Sequence, residues 1–335
     1  MSSTVQRNIL LDKYYSLSVD STGFDILALE IFDYQYKNNL VYQRYLKILG
    51  FNVENIQNIK EIPALPIQVY KHHDVKSFET QPVVTFESSG TTDKLRSKHL
   101  VLDEGLYRHS CKTIFEDSFG PVEDYCFLAL LPSYLENQNS SLVYMLDYFI
   151  SKSKYSESGF YLYDFEKLYT SLEKCEDEDI PVILFGVSFA LLDFIQNRNI
   201  NFPKLIIIET GGMKGRKKEM LKADIINSLR ETTSSDHVLS EYGMTELFSQ
   251  FYAQDGIHFE SCRYAKVDIM QLNDPFTIQK NGKPGILRIT DLSNIDSCSF
   301  ILTEDIAIKH DDGTFQILGR ADHSELRGCN LLYAG

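Results

Sequence analysis

Four short segments of this chain carry residue types suited to gripping a phosphorylated ligand. The first is Ser88-Ser89-Gly90-Thr91-Thr92-Asp93-Lys94. Small and hydroxyl residues let such a loop turn amides and hydroxyls toward an anion, Gly90 admits a close backbone approach, and Lys94 adds a cation. It is not a Walker A loop, because no Gly-Lys-Ser/Thr stands at the required spacing; the same composition also makes an ordinary turn. The second segment is Ser240-Glu241-Tyr242-Gly243-Met244-Thr245-Glu246. Glu246 offers the hard oxygen that magnesium prefers and Tyr242 a ring to stack on a base. The bland alternative is a strand end and helix start, with Thr245 and Glu246 complementing the helix dipole. The third is Thr303-Glu304-Asp305, where one carboxylate suits the vicinal hydroxyls of a ribose, or where two acids simply end a strand in solvent. In the fourth, Gly319-Arg320-Ala321-Asp322 followed by Arg327-Gly328, Arg320 can grip a ribose or phosphate oxygen. Alone it reads as a polar turn.

The elements that must position these segments follow from hydrophobic spacing. Ser21-Thr22 suits a helix cap, with Ile26, Leu29, Ile31 and Phe32 on one face; Tyr42, Tyr45, Leu46 and Leu49 continue a stripe that Gly50 ends. Strands and helices then alternate. Val83–Glu87 reads as a strand, and Asp103 caps a helix to about Phe119, stopped by Gly120-Pro121. Tyr125–Leu131, Pro181–Phe185, Lys204–Glu209 and His237–Ser240 read as strands, and Ser188–Gln196 as a helix. The acidic stretch Glu173–Asp179 reads as a solvated loop. From about Cys262 short strands and turns take over, with residues 286–290 and 299–309 as strands and Asn281-Gly282 and Asp312-Gly313 as hairpin signals. The expected fold class is α/β, with sheets covered by helices and a smaller β-rich lobe. The expected organisation is a helical N-terminal part over residues 1–78 and a core over 79–335 that turns β-rich from about residue 262.

Composition narrows the partners. A net charge of −14 over 335 residues disfavours nucleic acid and anionic lipid surfaces, so a phosphate ligand needs a local device. Cysteines at 111, 126, 175, 262, 298 and 329 form no CxxC pair and no Cys/His cluster, which argues against structural zinc. Free thiols in a reducing cytoplasm are expected. Met1–Asp12 lacks the pattern of a signal peptide, and Ile180–Ile195, interrupted by Asp193, is shorter than a membrane span.

Taken together and in order, the four segments resemble the adenylate-forming superfamily of acyl and aryl ligases. Ser88–Lys94 is similar to its phosphate loop, Ser/Thr-Ser-Gly-Thr-Thr-Gly-x-Pro-Lys, and Tyr242–Glu246 to its Tyr-Gly-x-Thr-Glu motif. The resemblance implies that Ser88, Ser89, Gly90, Thr91 and Thr92 cradle phosphates, with Lys94 or Lys98 as the cation. It implies that Tyr242 and Gly243 flank the adenine, that Thr245 meets the α-phosphate and that Glu246 holds magnesium. Gly211-Gly212 would lie against the adenine, while Asp305 and Arg320 would hold the ribose. Leu131-Pro132-Ser133, Ser140-Ser141-Leu142, Thr210–Gly215 and the close after Arg327-Gly328-Cys329 carry a nearer resemblance. It is to the acyl-protein synthetases of the bacterial luminescence fatty-acid reductase system; the phenylacetate–coenzyme A ligase branch is more distant. Two departures stand out. Asp93 replaces the last loop glycine with no proline before Lys94, and only seven residues follow Gly328, where most superfamily ligases carry a mobile C-terminal lobe. The expected architecture is therefore the large N-terminal part of that fold without the mobile lobe.

The implied reaction is activation of a carboxylic acid, a long-chain fatty acid by resemblance, with ATP and Mg2+. The acyl group would then pass to a protein cysteine or a partner protein. Cys329, beside Arg327, is the implied acyl acceptor, since an adjacent cation raises the thiolate fraction. Lys214-Gly215-Arg216-Lys217-Lys218 would attract pyrophosphate or be a solvated helix start. Phe127, Leu130, Tyr134, Leu142, Tyr144, Phe185 and Phe189 are candidate tunnel residues or core. Two other readings stay open: a carboxylate–coenzyme A ligase whose missing lobe comes from another chain, and an inactive nucleotide-binding scaffold.

Overall fold

Proceeding along the chain, the computed structural model has helices α1 (Ser3–Tyr15), α2 (Gly23–Asn38) and α3 (Leu40–Ile48) before strand β1 (Leu65–Pro66) and α4 (Val69–His72). Strands β2 (Val84–Glu87) and β3 (Lys98–Val101) precede α5 (Glu104–Phe119), β4 (Cys126–Leu130), α6 (Ser141–Lys152), β5 (Gly159–Phe160) and α7 (Phe165–Asp177). Then come β6 (Val182–Val187), α8 (Ser188–Ile195), β7 (Ile206–Thr210), α9 (Lys222–Thr233), β8 (Val238–Tyr242) and β9 (Phe251–Ala253). The strands β10 (Ala265–Gln271), β11 (Asp274–Ile278), β12 (Gly285–Asp291), β13 (Phe300–Lys309) and β14 (Phe315–Arg320) follow. The structure describes residues 2–18, 23–88, 95–131, 139–196, 198, 200–211 and 220–321. None of the described helices is long and apolar enough to cross a membrane.

These elements fall into two units. One comprises the described residues within Met1–Pro82, His99–Leu102 and Ser261–Gly335; the other comprises those within Val83–Lys98 and Asp103–Glu260. In the first unit the strands run in the order β1-β13-β12-β10-β11, with β14 also on β13. The N-terminal helices share this sheet's core. The Tyr14 ring stacks on Tyr264 at 4.2 Å, and Phe32 meets Phe300 edge-on at 5.9 Å. Gln35, fully buried, donates to the carbonyl of Asn294 at 2.8 Å and accepts from the Ser299 amide at 3.0 Å. A buried amide needs such partners, because leaving it unpaired costs about 1–3 kcal/mol.

The second unit has the strand order β5-β4-β6-β7-β8-β9, parallel from β5 through β8 and closed by antiparallel β9. Every residue of β4 (Cys-Phe-Leu-Ala-Leu) and β6 (Val-Ile-Leu-Phe-Gly-Val) is buried. Such continuous apolar runs are what a parallel sheet covered on both faces requires. On one helix, α5, Asp103 accepts from the amides of Gly105 at 2.9 Å and Leu106 at 3.3 Å, and Gly120 ends it with φ of 91°. Phe115 of α5 packs on Phe127 of β4 and Phe149 of α6 with ring centroids 5.5 and 5.0 Å away.

Three local expectations are corrected. In α2 the buried residues are Phe24, Leu27, Ala28, Ile31, Phe32, Tyr34 and Gln35; of the expected face Ile31 and Phe32 are buried, Leu29 is half-buried and Ile26 is 61% exposed, so the buried face is centred away from Ile26. Acidic residues 173–177 are helical within α7, whose Leu168, Leu172 and Cys175 anchor one face while the acids stay solvated. Asn281-Gly282 makes a turn, with Gly282 at φ of 73°, but β11 and β12 do not pair with each other, because β10 lies between them. Asp312-Gly313 does join the paired strands β13 and β14.

Candidate functional site

Thr210 and Glu241 end β7 and adjoin the end of β8, and they are register partners on neighbouring parallel strands. The chain therefore leaves both strands at one edge of the sheet, their carboxyl edge, where ligands of open α/β sheets bind. At the β7 exit Gly211 is exposed and has φ of 77°, a left-handed conformation that L side chains rarely adopt. At the β8 exit Tyr242 is half-buried, its ring 5.9 Å from Phe259 and 6.1 Å from Phe251. Thr245 and Glu246 occupy a turn, with the Leu247 amide donating to the Met244 carbonyl at 3.1 Å, so the helix-start alternative does not hold. Glu246 is buried and Thr245 half-buried. A hydroxyl and a carboxylate on consecutive residues fit a magnesium–phosphate ligand, since Mg2+ is held by one or two carboxylates plus substrate phosphates.

Under this edge lie buried polar residues to which the motif reading assigned no role. Glu209 is 0% exposed and forms an ion pair with Lys222 at the start of α9. The hydroxyl of Ser188 is within reach of both Glu209 and the Gly211 carbonyl, the latter at 3.1 Å. Ser240 likewise stands 3.2 Å from Glu209 and 2.7 Å from the Gly256 carbonyl. Glu241, 5% exposed, accepts from the Thr210 hydroxyl. Burial pushes its carboxyl up to about 7; the Thr210 hydrogen bond opposes this, Glu209 adds to it and Lys222 counters it. The available sequence signal was a glutamate closing an apolar run in both Ile-Ile-Ile-Glu-Thr and Val-Leu-Ser-Glu-Tyr.

Ser88 follows β2; its hydroxyl accepts from the Ser97 amide at 3.0 Å and its own amide donates to the Ser97 carbonyl at 3.1 Å, which pins the start of the intervening loop. Ser89, Gly90, Thr91, Thr92 and Lys94 lie outside the described residues, as do Gly212, the basic run 214–218 and Cys329. Lys98 is exposed. Of the apolar candidates, Phe127, Leu130 and Phe185 are wholly buried, and Tyr144 is engaged by Glu104 and by Arg108 at 2.7 Å; Tyr134 lies outside the described residues.

In the other unit, Asp305 and Arg320 are register partners on β13 and β14. The Arg320 guanidinium stands 3.5 Å from Asp305 and 3.7 Å from Glu304, and Glu304 also accepts from Gln68 at 2.7 Å. The Asp305 amide donates to the Thr303 hydroxyl at 3.0 Å, fixing the strand where its carboxylate emerges. An acceptor and a fork of donors thus stand side by side, as recognition of ribose hydroxyls needs.

The family described as Acyl-protein synthetase, LuxE matches residues 2–334. The chain is 23% identical to the long-chain-fatty-acid–luciferin-component ligase of Aliivibrio fischeri, over 92% of this chain and 87% of that one. It is 22% identical to the ligase of the same name from Vibrio harveyi, over 90% and 84%. Among solved structures, 2-hydroxyisobutyryl-CoA ligase in complex with 2-HIB-AMP superposes with a TM-score of 0.65, at 12% identity, over 91% of this chain and 69% of that one. An ATP-bound RpMatB–BxBclM chimera gives 0.55, at 16% identity, over 70% of this chain. The match spans about half, 47%, of the chimera's length. At these identities the structural likeness is one of fold: the α/β architecture is that of adenylate-forming ligases.

Proposed function

The chain belongs to the acyl-protein synthetase (LuxE) family, and from that premise we propose that it uses ATP and magnesium to convert a long-chain fatty acid into an acyl-adenylate and then passes the acyl group to a thiol. One observation carries the reading. Thr210-Gly211 and Tyr242–Glu246, far apart in sequence, leave register-paired strands at the same edge of one parallel sheet. Either segment alone would be an unremarkable strand end.

In this reading the fatty carboxylate attacks the α-phosphorus and pyrophosphate leaves. No protein base is needed, because a carboxylate is already a nucleophile at neutral pH. Gly211 and Gly212 present backbone to the adenine, and the Tyr242 ring and Gly243 close its other side. Asp305 and Arg320 take the ribose hydroxyls. Thr245 donates to the α-phosphate, and Ser88, Ser89, Gly90, Thr91, Thr92 and Lys94 receive the leaving phosphates. Glu246 would hold the magnesium ion, which supplies positive charge to the phosphate oxygens as they develop charge. The Cys329 thiolate is the acyl acceptor: it attacks the acyl carbonyl, the bond to the adenylate phosphate breaks and AMP leaves, and the thioester delivers the chain to a partner protein. The family and the names of the Aliivibrio and Vibrio relatives support a fatty acid as substrate.

The test is acid-dependent exchange of labelled pyrophosphate into ATP across fatty, aryl and short-chain acids. Long-chain fatty acids are expected to support it. Each added pair of methylenes should raise efficiency roughly 15-fold while the chain still fits, from about 0.8 kcal/mol per buried methylene. ATP binding without exchange on any acid would overturn adenylation. Cys329→Ala should keep exchange and lose hydroxylamine-sensitive acyl labelling; undiminished label on that variant removes Cys329 as acceptor. The CoA ligase among the fold's neighbours favours one second reading, transfer to coenzyme A, which CoA-dependent turnover by the pure protein would reveal.

A further inference from the structure

At the carboxyl edge of the parallel sheet, β7 and β8 each carry a buried glutamate. Glu209 and Ser240 are register partners, as are Thr210 and Glu241, so strand alternation puts Glu209 with Ser240 on one face and Thr210 with Glu241 on the other. On the first face, Lys222 pairs with Glu209, and the Ser188 hydroxyl lies within reach of both Glu209 and the Gly211 carbonyl. On the second face, one oxygen of Glu241 accepts from Thr210. Its other oxygen lies 2.6 Å from where a Cβ on Gly243 would sit. A side chain at position 243 would have to displace a carboxylate that Thr210 already holds. The absence of one leaves room for that carboxyl beside Gly243.

We infer that Glu241 is a positioning residue for the nucleotide: its carboxyl is held by Thr210 at the end of β7 and fills the space beside Gly243 just beyond β8, so that it sets the spacing of the two chain segments that flank the adenine. The identity of the ligand rests on the adenylation reading above. Nothing in the superfamily motif demands an acid at this position, which is the residue before its tyrosine.

The geometry makes nucleotide affinity respond to the charge on Glu241. Among the described residues, the titratable and charged groups around it are Glu209 on β7, Lys222 on α9, Tyr107 on α5 and Tyr252, the cross-strand partner of Glu241, on β9. Burial holds Tyr107 neutral, and Glu241 itself loses its proton near pH 7. An anionic triphosphate arriving at this edge favours the protonated carboxyl. By linkage, ATP then binds less tightly as pH rises through about 7.

The experiment compares the wild-type protein, Glu241→Gln and Thr210→Val between pH 6 and 8. Two readouts are needed: the KM for ATP and for acid in pyrophosphate exchange, and the ATP-induced rise in melting temperature. The wild-type ATP KM should rise about tenfold more over this range than that of Glu241→Gln, the titration of ATP itself being common to both. The KM for the acid should run in parallel. Thr210→Val, which removes the tie and with it the hydrogen bond that opposes the rise of the Glu241 carboxyl, should raise the ATP KM severalfold and leave the acid KM alone. Superimposable pH profiles for wild type and Glu241→Gln would overturn the inference. So would a Gln variant that melts lower without ATP yet keeps the full ATP-induced rise at every pH, which would mark Glu241 as merely structural. Should the wild type fail to exchange but still be stabilised by ATP, adenylation falls while the pH dependence of that stabilisation still decides the role of Glu241. A wild type that ATP does not stabilise refutes both.

Discussion

Removing Lys222 should be among the most damaging single changes near the site, although the residue is one-third exposed. Its partner Glu209 is wholly buried. Breaking a buried pair costs about 3–5 kcal/mol, because the remaining charge loses its compensation. Two effects reduce that here. Solvent screens the exposed part of the lysine, and the hydroxyls of Ser188 and Ser240 still reach Glu209. Lys222→Met should therefore destabilise the protein by about 2–3 kcal/mol, lowering a urea midpoint by about 1 M at typical slopes. Tyrosine fluorescence is a convenient probe, since the chain has 20 tyrosines and no tryptophan, and coincidence with circular dichroism would license a two-state free energy. In the double variant Lys222→Met/Glu209→Gln no buried charge is left unpaired, so it should recover at least about 1 kcal/mol relative to the sum of the single changes. A loss below about 0.5 kcal/mol for Lys222→Met, or strict additivity in the double variant, would refute the claim that this pair is energetically coupled.

Other consequences are separable. Asp103→Ala deletes the cap of α5 and should cost about 1 kcal/mol in the same assay, with Asp103→Asn retaining most of it; equal losses for both would rule out capping as the reason. Glu241 is raised from 4.5 to about 7 in the folded protein. The stability it contributes is complete below pH 4.5 and lost as pH rises through about 7. Relative to Glu241→Gln, the wild type should lose about 3 kcal/mol between those limits and change little above them; a constant difference between the two across pH 5–8 would contradict this. Arg320 is 55% exposed beside Asp305 and Glu304, so Arg320→Ala should alter stability by less than about 0.5 kcal/mol. The same change should raise the ATP KM about tenfold through loss of a charge-assisted hydrogen bond. An unaltered ATP KM removes Arg320 from the ribose.

The buried polar layer also gives physical content to the motif glycines. Gly243 leaves room for the Glu241 carboxyl, and Gly211 supplies a left-handed turn whose carbonyl meets Ser188. A short pattern such as Tyr-Gly-x-Thr-Glu thus encodes both the groups offered to a ligand and the space taken by groups beneath them. Reading the pattern for ligand contacts alone overlooks the second half.

Local chemistry was legible in the one-dimensional chain wherever neighbours in sequence are also the interacting partners. Asp103 and Gly120 bound α5 as their residue types require, and Asp312-Gly313 turns β13 into β14. The apolar runs of β4 and β6 were legible as strands, and the structure buries both in the parallel sheet. The order of the phosphate loop, the Tyr-Gly-Met-Thr-Glu segment, Asp305 and Arg320 was likewise enough to suggest the superfamily. What tertiary structure alone decided is which distant residues meet. Ile26 and Phe24 have similar hydrophobicity, and only packing determined that Phe24 is buried while Ile26 faces solvent. The first forty residues and the last described strands share one core, which no local propensity encodes. Glu209 and Glu241 looked like ordinary acids at strand ends. Only the register of β7 against β8 buries them and brings Thr210 to Glu241, because a carboxylate's cost and its proton affinity depend on how much water and which charges surround it, and those are properties of the fold.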